Sequence, residues 1–140
     1  MAELGEQKIL KYTVTHHRKE GRTHEEFLNW IIRDHIPLAL PVLKKHGCIE
    51  YSIFSTPADL NGALRASIEK VHPTWEYADY DCIIEYSFRG IESIGKVMAD
   101  PEWHAALKDD DEWVDKSKAL LSLGYSTPFL LTTGEVVNLQ

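Results

Sequence analysis

The 140-residue sequence has no long apolar run, and no stretch approaches the ~18–20 apolar residues that a membrane-spanning helix needs. It also has no excess of positive charge, because 15 Lys and Arg residues stand against 22 Asp and Glu residues, for a net charge of −7. Nucleic-acid grooves and proteins that bind anionic membranes carry basic patches. We therefore expect neither nucleic acid nor a membrane as a partner.

Cysteine is scarce, and its spacing argues against two further classes of protein. Cys48 and Cys82 lie too far apart for a CxxC site, and two cysteines do not make the disulfide framework of a small secreted protein. Residues 1–12 contain no apolar stretch of signal-peptide length. These features predict reduced thiols and a cytoplasmic location.

The common catalytic signatures are missing as well, since the sequence has no GxSxG, P-loop, GxGxxG or HExxH motif. His16 and His17 are adjacent at the end of a predicted strand, so their side chains are expected to point to opposite faces. No other pair of histidines has close metal-ligand spacing. We therefore expect neither a metal site nor a Ser or Cys nucleophile.

The residues that are present indicate one globular domain over residues 1–140. Hydrophobic residues make up 44% of the chain, which is ordinary for a globular protein. Alternating apolar side chains predict strands over residues 8–16, 48–54, 80–88 and 128–133. Helical spacing between these strands predicts an α+β fold, in which helices cover one face of a four-stranded antiparallel sheet.

The first helix has a clear start and an expected break. Thr23 and Glu26 have the spacing of a capping box in front of an apolar run. Pro37 and Pro41 lie within the same helical pattern, and each lacks an N–H and crowds the carbonyl four residues earlier. We therefore expect the helix to kink or break near His35.

Residues 55–78 form a long connection between the second and third predicted strands, and a short helix is expected within it over residues 60–71. A connection of this length in a compact domain is more often a functional lid than filler. His72 and Trp75 lie in it, and we interpret them as a pair that can cap an apolar ligand.

Seven histidines favour acid–base chemistry, because an imidazole can give or take a proton near pH 7. His35 lies on the apolar face of the first helix at the expected kink, beside Asp34, and we interpret both as candidate catalytic residues. The alternative for His35 is a core histidine bonded to a freed carbonyl. His104 is a third candidate, in the first turn of a helix begun by Asp100 and Pro101, and its alternative is a solvated surface histidine.

Aromatic side chains are expected to line the space between the sheet and the helices. A tyrosine hydroxyl in an apolar cavity can hold the phenol or carbonyl group of a flat substrate, and we interpret Tyr51 as a candidate catalytic residue. The predicted substrate-binding residues are Trp30, His72, Trp75, Tyr80, Tyr86 and Trp103.

Two acidic residues, Asp81 and Glu85, share one face of the third predicted strand. An inward-facing pair would have raised pKa values and could act as acids. The alternative is that this face of the strand looks toward solvent or toward the rim of a dimer.

The stretch HRKEGRTHEEFLNWIIRDHIPLA resembles the start of EthD-type domains in the dimeric α+β barrel superfamily. The shared pattern is Thr-x-Glu-Glu-Phe at residues 23–27, followed by a helix that ends in His-x-Pro-Leu at residues 35–38. The segment DYDCIIEYSF and residues 111–115 are similar to the second half of these domains, with Trp113 in place of a Phe. The resemblance implies a ferredoxin-like dimeric α+β barrel.

The similarity is greatest to a fungal branch that acts in aromatic polyketide pathways, whose members are described as cofactor-free decarboxylases or dehydratases. It implies a lyase without metal or organic cofactor, acting on a flat, hydroxylated polyketide, with His35 and more loosely His104 as its carried-over residues. The alternatives are a cofactor-free monooxygenase, a cyclase or isomerase, and a non-catalytic ligand-binding dimer.

A homodimer is also expected from the sheet itself. The predicted helices cover only one face, and the other face would expose apolar residues such as Ile49 or Ile83, Leu10 or Ile9, and Leu131. Monomeric proteins rarely expose a large apolar patch, so this face is expected to pack against a second copy.

Overall fold

The structure is a computed structural model that describes residues 9–139. Two predictions extend beyond the described residues: the domain over residues 1–140, and Lys8 as the first residue of the first strand. The strands are β1 (Ile9–His16), β2 (Glu50–Ser55), β3 (Cys82–Phe88) and β4 (Leu121–Ser126). The helices are α1 (His24–Trp30), α2 (Ile36–Lys45), α3 (Ala58–Ile68), α4 (Ile91–Ala99), α5 (Pro101–Ala106) and α6 (Asp110–Trp113), with a π-helical turn at Ile31–His35 and a 3-10 turn at Lys116–Lys118.

The four strands form one antiparallel sheet in the order β2-β3-β1-β4. Tyr86 on β3 lies opposite Tyr12 on β1 and opposite Tyr51 on β2, so three tyrosines stand side by side across the sheet. The predicted fold class, α+β with a four-stranded antiparallel sheet, is confirmed.

The core lies between one face of this sheet and the helices. Val14, Ile84 and Phe88 face it from the strands, and α1 and α2 contribute Phe27 and Leu43. Phe27 is fully enclosed in this core, at 0% exposed. The capping box that begins α1 is formed: Thr23 accepts from the Glu26 N–H, and Glu26 accepts from the Thr23 N–H. Local sequence signals thus set the direction of the helix that carries the centre of the core.

The expected break near His35 is present as a π-helical turn. The N–H of Ile36 binds the carbonyl of Ile31, five residues earlier, and the next residue, Pro37, has no N–H to donate. The wider turn leaves His35 only 6% exposed, whereas Pro41 lies within α2 without interrupting it.

The last strand lies earlier in the chain than the sequence predicted. The prediction placed it at residues 128–133, but β4 is Leu121–Ser126, where Leu121 pairs with Val14 and Leu123 pairs with Tyr12. Glycine and serine within this segment lower its intrinsic strand propensity, and pairing with the central strand β1 overrides that preference.

The long connection over residues 55–78 is partly helical, as expected, with α3 at Ala58–Ile68. No residue of α3 is buried. A cleft of about 390 Å³ lies between this connection and β2, with Phe54, Trp75 and Tyr80 among its walls. A lid function for this segment stays a prediction.

The second face of the sheet is more polar than predicted. Leu10 lies opposite Phe88 and Tyr125 in register and is buried in the core, and Leu131 lies outside the strands. Lys11 and Glu85 form an ion pair of 3.7 Å between neighbouring strands. The alternation places Ile9 and Ile83, two of the expected alternatives, on this face, together with threonines, serines and this ion pair, so the second face is mixed and not broadly apolar.

Candidate active site

A cluster of enclosed polar groups lies between the sheet and the helices. His16 Nδ1, Tyr51 Oη and Asp110 Oδ1 are buried atoms without a hydrogen-bond partner within residues 9–139. Trp113, in the same short helix as Asp110, stacks on Trp30, which in turn stacks on His35, and the carbonyl that binds His35 belongs to Ala106, four residues before Asp110. Asp110 therefore lies on a segment that packs against His35. Buried polar atoms are normally paired, so these unpaired atoms mark the cluster as a candidate site.

The ring of His35 is oriented by one backbone carbonyl. Its Nδ1 lies 3.1 Å from the carbonyl oxygen of Ala106, which can only accept, so Nδ1 carries the proton in the neutral ring. Nε2 then holds a lone pair, and no group of the described chain donates to it. Trp30 stacks on this ring at 5.7 Å, and Trp103 meets it edge-on at 6.4 Å. The hydrogen bond and the two aromatic contacts therefore fix the orientation of the His35 ring and leave Nε2 as its basic nitrogen.

The tyrosines form the sheet side of the cluster. Tyr51 stacks on Tyr86 with ring centroids 5.2 Å apart, and Tyr12 and Trp103 meet Tyr86 edge-on at 5.2 and 6.3 Å. Burial raises the pKa of Tyr51 and of Tyr86, so both hydroxyls keep their protons at neutral pH. The unpartnered Tyr51 hydroxyl is therefore available as a hydrogen-bond donor.

His16 adds a neutral group at the end of β1. Burial, and then the neighbouring His35 and His17, lower the pKa of His16 to about 4. It therefore carries no charge at pH 7. The sequence placed His16 only at the end of a predicted strand, beside His17, and did not indicate it as a site residue.

Asp110, the first residue of α6, completes the cluster and was also missed. Burial raises the pKa of Asp110, although His35 and Lys116 oppose the shift. It lies in a run of four acidic residues, which in the sequence indicates only a solvated surface, and no local signal distinguishes it from its neighbours. The packing of α6 encloses one oxygen of this carboxyl group, which the sequence does not indicate.

The structure brings five of the ten predicted site residues together at this place. These residues are Trp30, His35, Tyr51, Tyr86 and Trp103.

The other five predicted residues lie elsewhere. Asp34 and His104 are exposed. His72 and Trp75 stack on each other at 3.6 Å in the 55–78 connection, where Trp75 is 62% exposed. Tyr80 precedes β3 and lines the cleft beside that connection, outside the interior cluster. Asp34 and His104 thus lie on outer helix faces, and His72, Trp75 and Tyr80 lie in or beside the 55–78 connection.

An open groove of about 320 Å³ reaches His35 from outside the helix layer. Trp30, Asp34, Lys108 and Asp109 are among the residues that line it. Asp34 therefore lies at the approach to His35.

The two acidic residues of the third strand do not form an inward acid pair. Asp81 is 4% exposed and accepts hydrogen bonds from the Arg18 N–H at 2.7 Å and from His24 at 2.9 Å. Burial alone would raise its pKa, but these bonds and the Arg18 guanidinium lower it. Glu85 pairs with Lys11 instead. The expectation of raised pKa values for this pair is therefore wrong for Asp81, because the hydrogen bonds from Arg18 and His24 favour its charged form.

No helix within residues 9–139 has the length and apolar character needed to cross a membrane. No three His, Cys, Asp or Glu side chains in that range converge as a metal-binding group.

The EthD domain family model matches residues 19–117. The protein named dehydratase iacD from Pestalotiopsis fici is 37% identical over 127 residues, which cover 91% of this chain and 92% of that relative. The protein named decarboxylase nsrE from Aspergillus novofumigatus is 26% identical over 136 residues, covering 95% of this chain and 87% of the relative.

Comparison with solved structures agrees at the level of the fold. A DABB family protein with a ferredoxin-like fold from Mesorhizobium loti has a TM-score of 0.59 and 12% identity, covering 87% of this chain and 100% of that chain. The ferredoxin-like arrangement expected from the sequence is thereby confirmed. Since the family model spans most of the chain and a relative is 37% identical over 91% of it, the chain belongs to the EthD domain family.

Proposed function

We propose that this protein is a cofactor-independent lyase that removes water or CO2 from a flat aromatic polyketide intermediate. The observation that supports the proposal is a basic nitrogen on His35 in the same cluster as a tyrosine hydroxyl that can donate a proton or a hydrogen bond. His35 has a free Nε2, and the buried Tyr51 hydroxyl has no partner among the described residues. The names dehydratase and decarboxylase, which relatives carry, both belong to lyases.

Both reactions need the same groups. Dehydration requires a base at a C–H bond and an acid at the departing hydroxyl group. Decarboxylation requires a proton for the carbon that loses CO2 and stabilisation of charge on a neighbouring oxygen. His35 moves the proton in either case, and Tyr51 donates to the oxygen that gains charge.

The walls of the cluster suit a flat ring system. Trp30, Tyr86 and Trp103 surround His35 and Tyr51 with aromatic faces and edges, and an apolar enclosure strengthens the hydrogen bonds inside it. A planar, partly hydroxylated substrate matches both the aromatic walls and the few polar groups.

The test is the mass of the product formed by wild type, by His35→Gln and by the matched control His104→Gln. Candidate substrates are anthrone-type carboxylic acids and bicyclic β-hydroxy ketones, analysed by mass spectrometry before and after incubation. We expect wild type and His104→Gln to release water or CO2. His35→Gln should be slower by about 10²-fold or more, because a positioned acid–base group supplies ~10²–10⁴-fold.

Each alternative gives a different result in the same experiment. Incorporation of oxygen would identify an oxygenase, and an altered product of unchanged mass would identify a cyclase or isomerase. Tight binding without turnover would identify a ligand-binding protein. Equal rates for wild type and His35→Gln would contradict the role of His35.

We also propose that the chain forms a homodimer. The support is a set of exposed apolar side chains on and after β4. Leu121 is 65% exposed, Leu123 is 47% exposed, and Phe129 and Leu130 are 51% and 69% exposed. An apolar strip of this kind is typical of an association surface.

A further inference from the structure

Asp110 differs from the acidic residues on either side of it. Asp111 is exposed and pairs with Lys116 at 2.9 Å. Asp110 Oδ1 is enclosed and has no hydrogen-bond partner in the described part of the chain. Lys116, the nearby cation, is therefore engaged by Asp111, and the enclosed Asp110 oxygen has no such partner.

Contacts around α6 hold Asp110 in this position. Trp113 stacks on Trp30 at 5.5 Å with an interplanar angle of 5°, and the Arg22 guanidinium lies 3.8 Å from the Trp113 ring centre on its face. The Lys19 N–H donates to the Trp113 carbonyl at 2.8 Å. The short helix is therefore clamped between α1 and the turn that follows β1.

The cluster holds no buried lysine or arginine of the described chain, and the nearby cations Arg33 and Lys108 line the outer groove beside His35. The buried polar residues of the described chain are His35, Asp81, Ser87 and Asp100, and none is Lys or Arg. Asp81 and Asp100 have cationic partners of their own, Arg18 and Lys45. A substrate carboxylate entering the cluster would lose its hydration without gaining an ion pair, which is costly.

We propose that Asp110 is the general acid of this site, and that its substrate is an uncharged β-hydroxy ketone that loses water. This inference rests on the proposed lyase function and deepens it. It assigns dehydration, names the residue that protonates the leaving group, and leaves His35 as the base.

The step balances with the groups present. His35 Nε2 takes the proton from the carbon beside the ketone, and the electron pair of that C–H bond forms the new carbon–carbon double bond. The C–O bond breaks, its oxygen keeps the bonding pair and takes the carboxyl proton of Asp110, and water leaves. Tyr51 donates to the ketone oxygen while it carries negative charge. The proton on His35 then returns to the Asp110 carboxylate.

Burial supports this role because it raises the pKa of Asp110 and keeps the acid form to a higher pH than for an ordinary aspartate. A general acid must be protonated, so the rate falls as pH rises through the pKa of Asp110. The groups that affect or face it are His35 from the π-helical turn, Tyr51 from β2, Tyr86 from β3, Lys116 from the 3-10 turn, and its neighbours Asp109 and Asp111.

The experiment uses a β-hydroxytetralone, a bicyclic aromatic β-hydroxy ketone whose dehydration gives a naphthol that is followed by absorbance. We expect Asp110→Asn to lower kcat by about 10²-fold or more, and to lose the alkaline limb of the pH profile that wild type shows. Asp111→Asn makes the same chemical change one residue away and should keep both the rate and the limb. Circular dichroism checks that each variant is folded.

A second substrate separates acid catalysis from a structural role. The β-acetoxy counterpart releases acetate, which departs without a proton. With it, Asp110→Asn should come within a few-fold of wild type, while His35→Gln stays slow. A misfolded or displaced α6 would slow both substrates equally, and that result would overturn the assignment of Asp110.

The outcomes for this inference and for the proposed function are distinct. Absence of naphthol formation by wild type would contradict the substrate class and, with no CO2 loss from the carboxylic acids, the lyase function itself. Wild-type dehydration that depends on His35 but survives Asp110→Asn would overturn the role of Asp110 alone. Turnover of carboxylic acids with no turnover of the tetralone would overturn the assignment of dehydration while leaving a lyase.

Discussion

At the scale of single residues, hydrogen-bond partners determine the protonation and the chemical role of each enclosed polar group. The Ala106 carbonyl makes His35 Nε2 the basic nitrogen. Asp81 shows the opposite case, because Arg18 and His24 satisfy the carboxylate and keep it ionised. The two aspartates thus differ in character, since the enclosed Oδ1 of Asp110 lacks the partners that Asp81 has.

This difference predicts how Asp81 contributes to stability at different pH values. Its folded pKa is lowered, so its stabilising effect is present above the unfolded pKa of ~3.9 and is lost as pH falls through the folded value. We expect Asp81→Asn to lower the free energy of unfolding by about 1–3 kcal/mol at pH 7 and by less at pH 3. Urea denaturation at both pH values measures the two differences.

The matched control is Asp79→Asn, because the Asp79 side chain is 89% exposed and its contact with His17 lies at the surface. We expect its urea midpoint to stay close to that of wild type at pH 7. An Asp81→Asn variant that is as stable as wild type at neutral pH would contradict a stabilising ion-pair cluster at this position.

At the scale of elements, the π-helical turn decides where the base lies. A π-helical turn inserts a residue relative to an α-helix and so rotates the side chains that follow it. The Ile36 N–H reaches back to Ile31, and the missing N–H of Pro37 leaves the wider turn without a competing α-helical bond. Turns of this kind occur frequently at functional sites, and here the last residue of the turn is His35.

We therefore expect Pro37→Ala to lower kcat by about tenfold or more while the protein stays folded. The alanine restores an N–H, favours a regular α-helix through residues 31–37 and shifts His35, and small displacements of a catalytic group are costly. Pro41→Ala is the control, since Pro41 lies inside α2 beyond the π-helical turn. Steady-state kinetics and thermal melting of both variants provide the measurement. Unchanged kcat in Pro37→Ala would show that packing alone holds His35.

At the scale of the whole molecule, nine of the twenty exposed large hydrophobic residues of the described chain lie between residues 120 and 139, from the residue before β4 onward. β4 is an outer strand of the sheet, and its Leu121 and Leu123 are on the same side as the core but are largely exposed. The second face, which carries the Lys11–Glu85 ion pair, is the more polar surface. The surface expected to join two copies is therefore centred on β4.

Sedimentation equilibrium at tens of micromolar is expected to give about twice the chain mass of 16.0 kDa. Leu121→Glu combined with Leu123→Glu should weaken the association, because it places charges in an apolar interface. Leu64→Glu on α3 removes an equally exposed apolar residue away from β4 and should leave the dimer intact. A wild-type species of 16.0 kDa at this concentration would refute the dimer.

The sequence by itself determined the features that depend on neighbours in the chain. The capping box of Thr23 and Glu26 and the break before Pro37 are local, because each acts on backbone groups within four residues. The His35 prediction followed from that break. The resemblance carried by residues 23–27 and 35–38 likewise identified the EthD domain family, which the family model confirms.

Only the tertiary structure decided which polar groups meet. His16 and Asp110 join His35 from β1 and α6, almost a hundred residues apart, and nothing near either residue in sequence records that contact. The position of β4 likewise depends on pairing with β1 and not on its own propensity. Burial and partners are properties of the packed chain, so the character of Asp110 and Asp81 follows from their surroundings and not from their residue type.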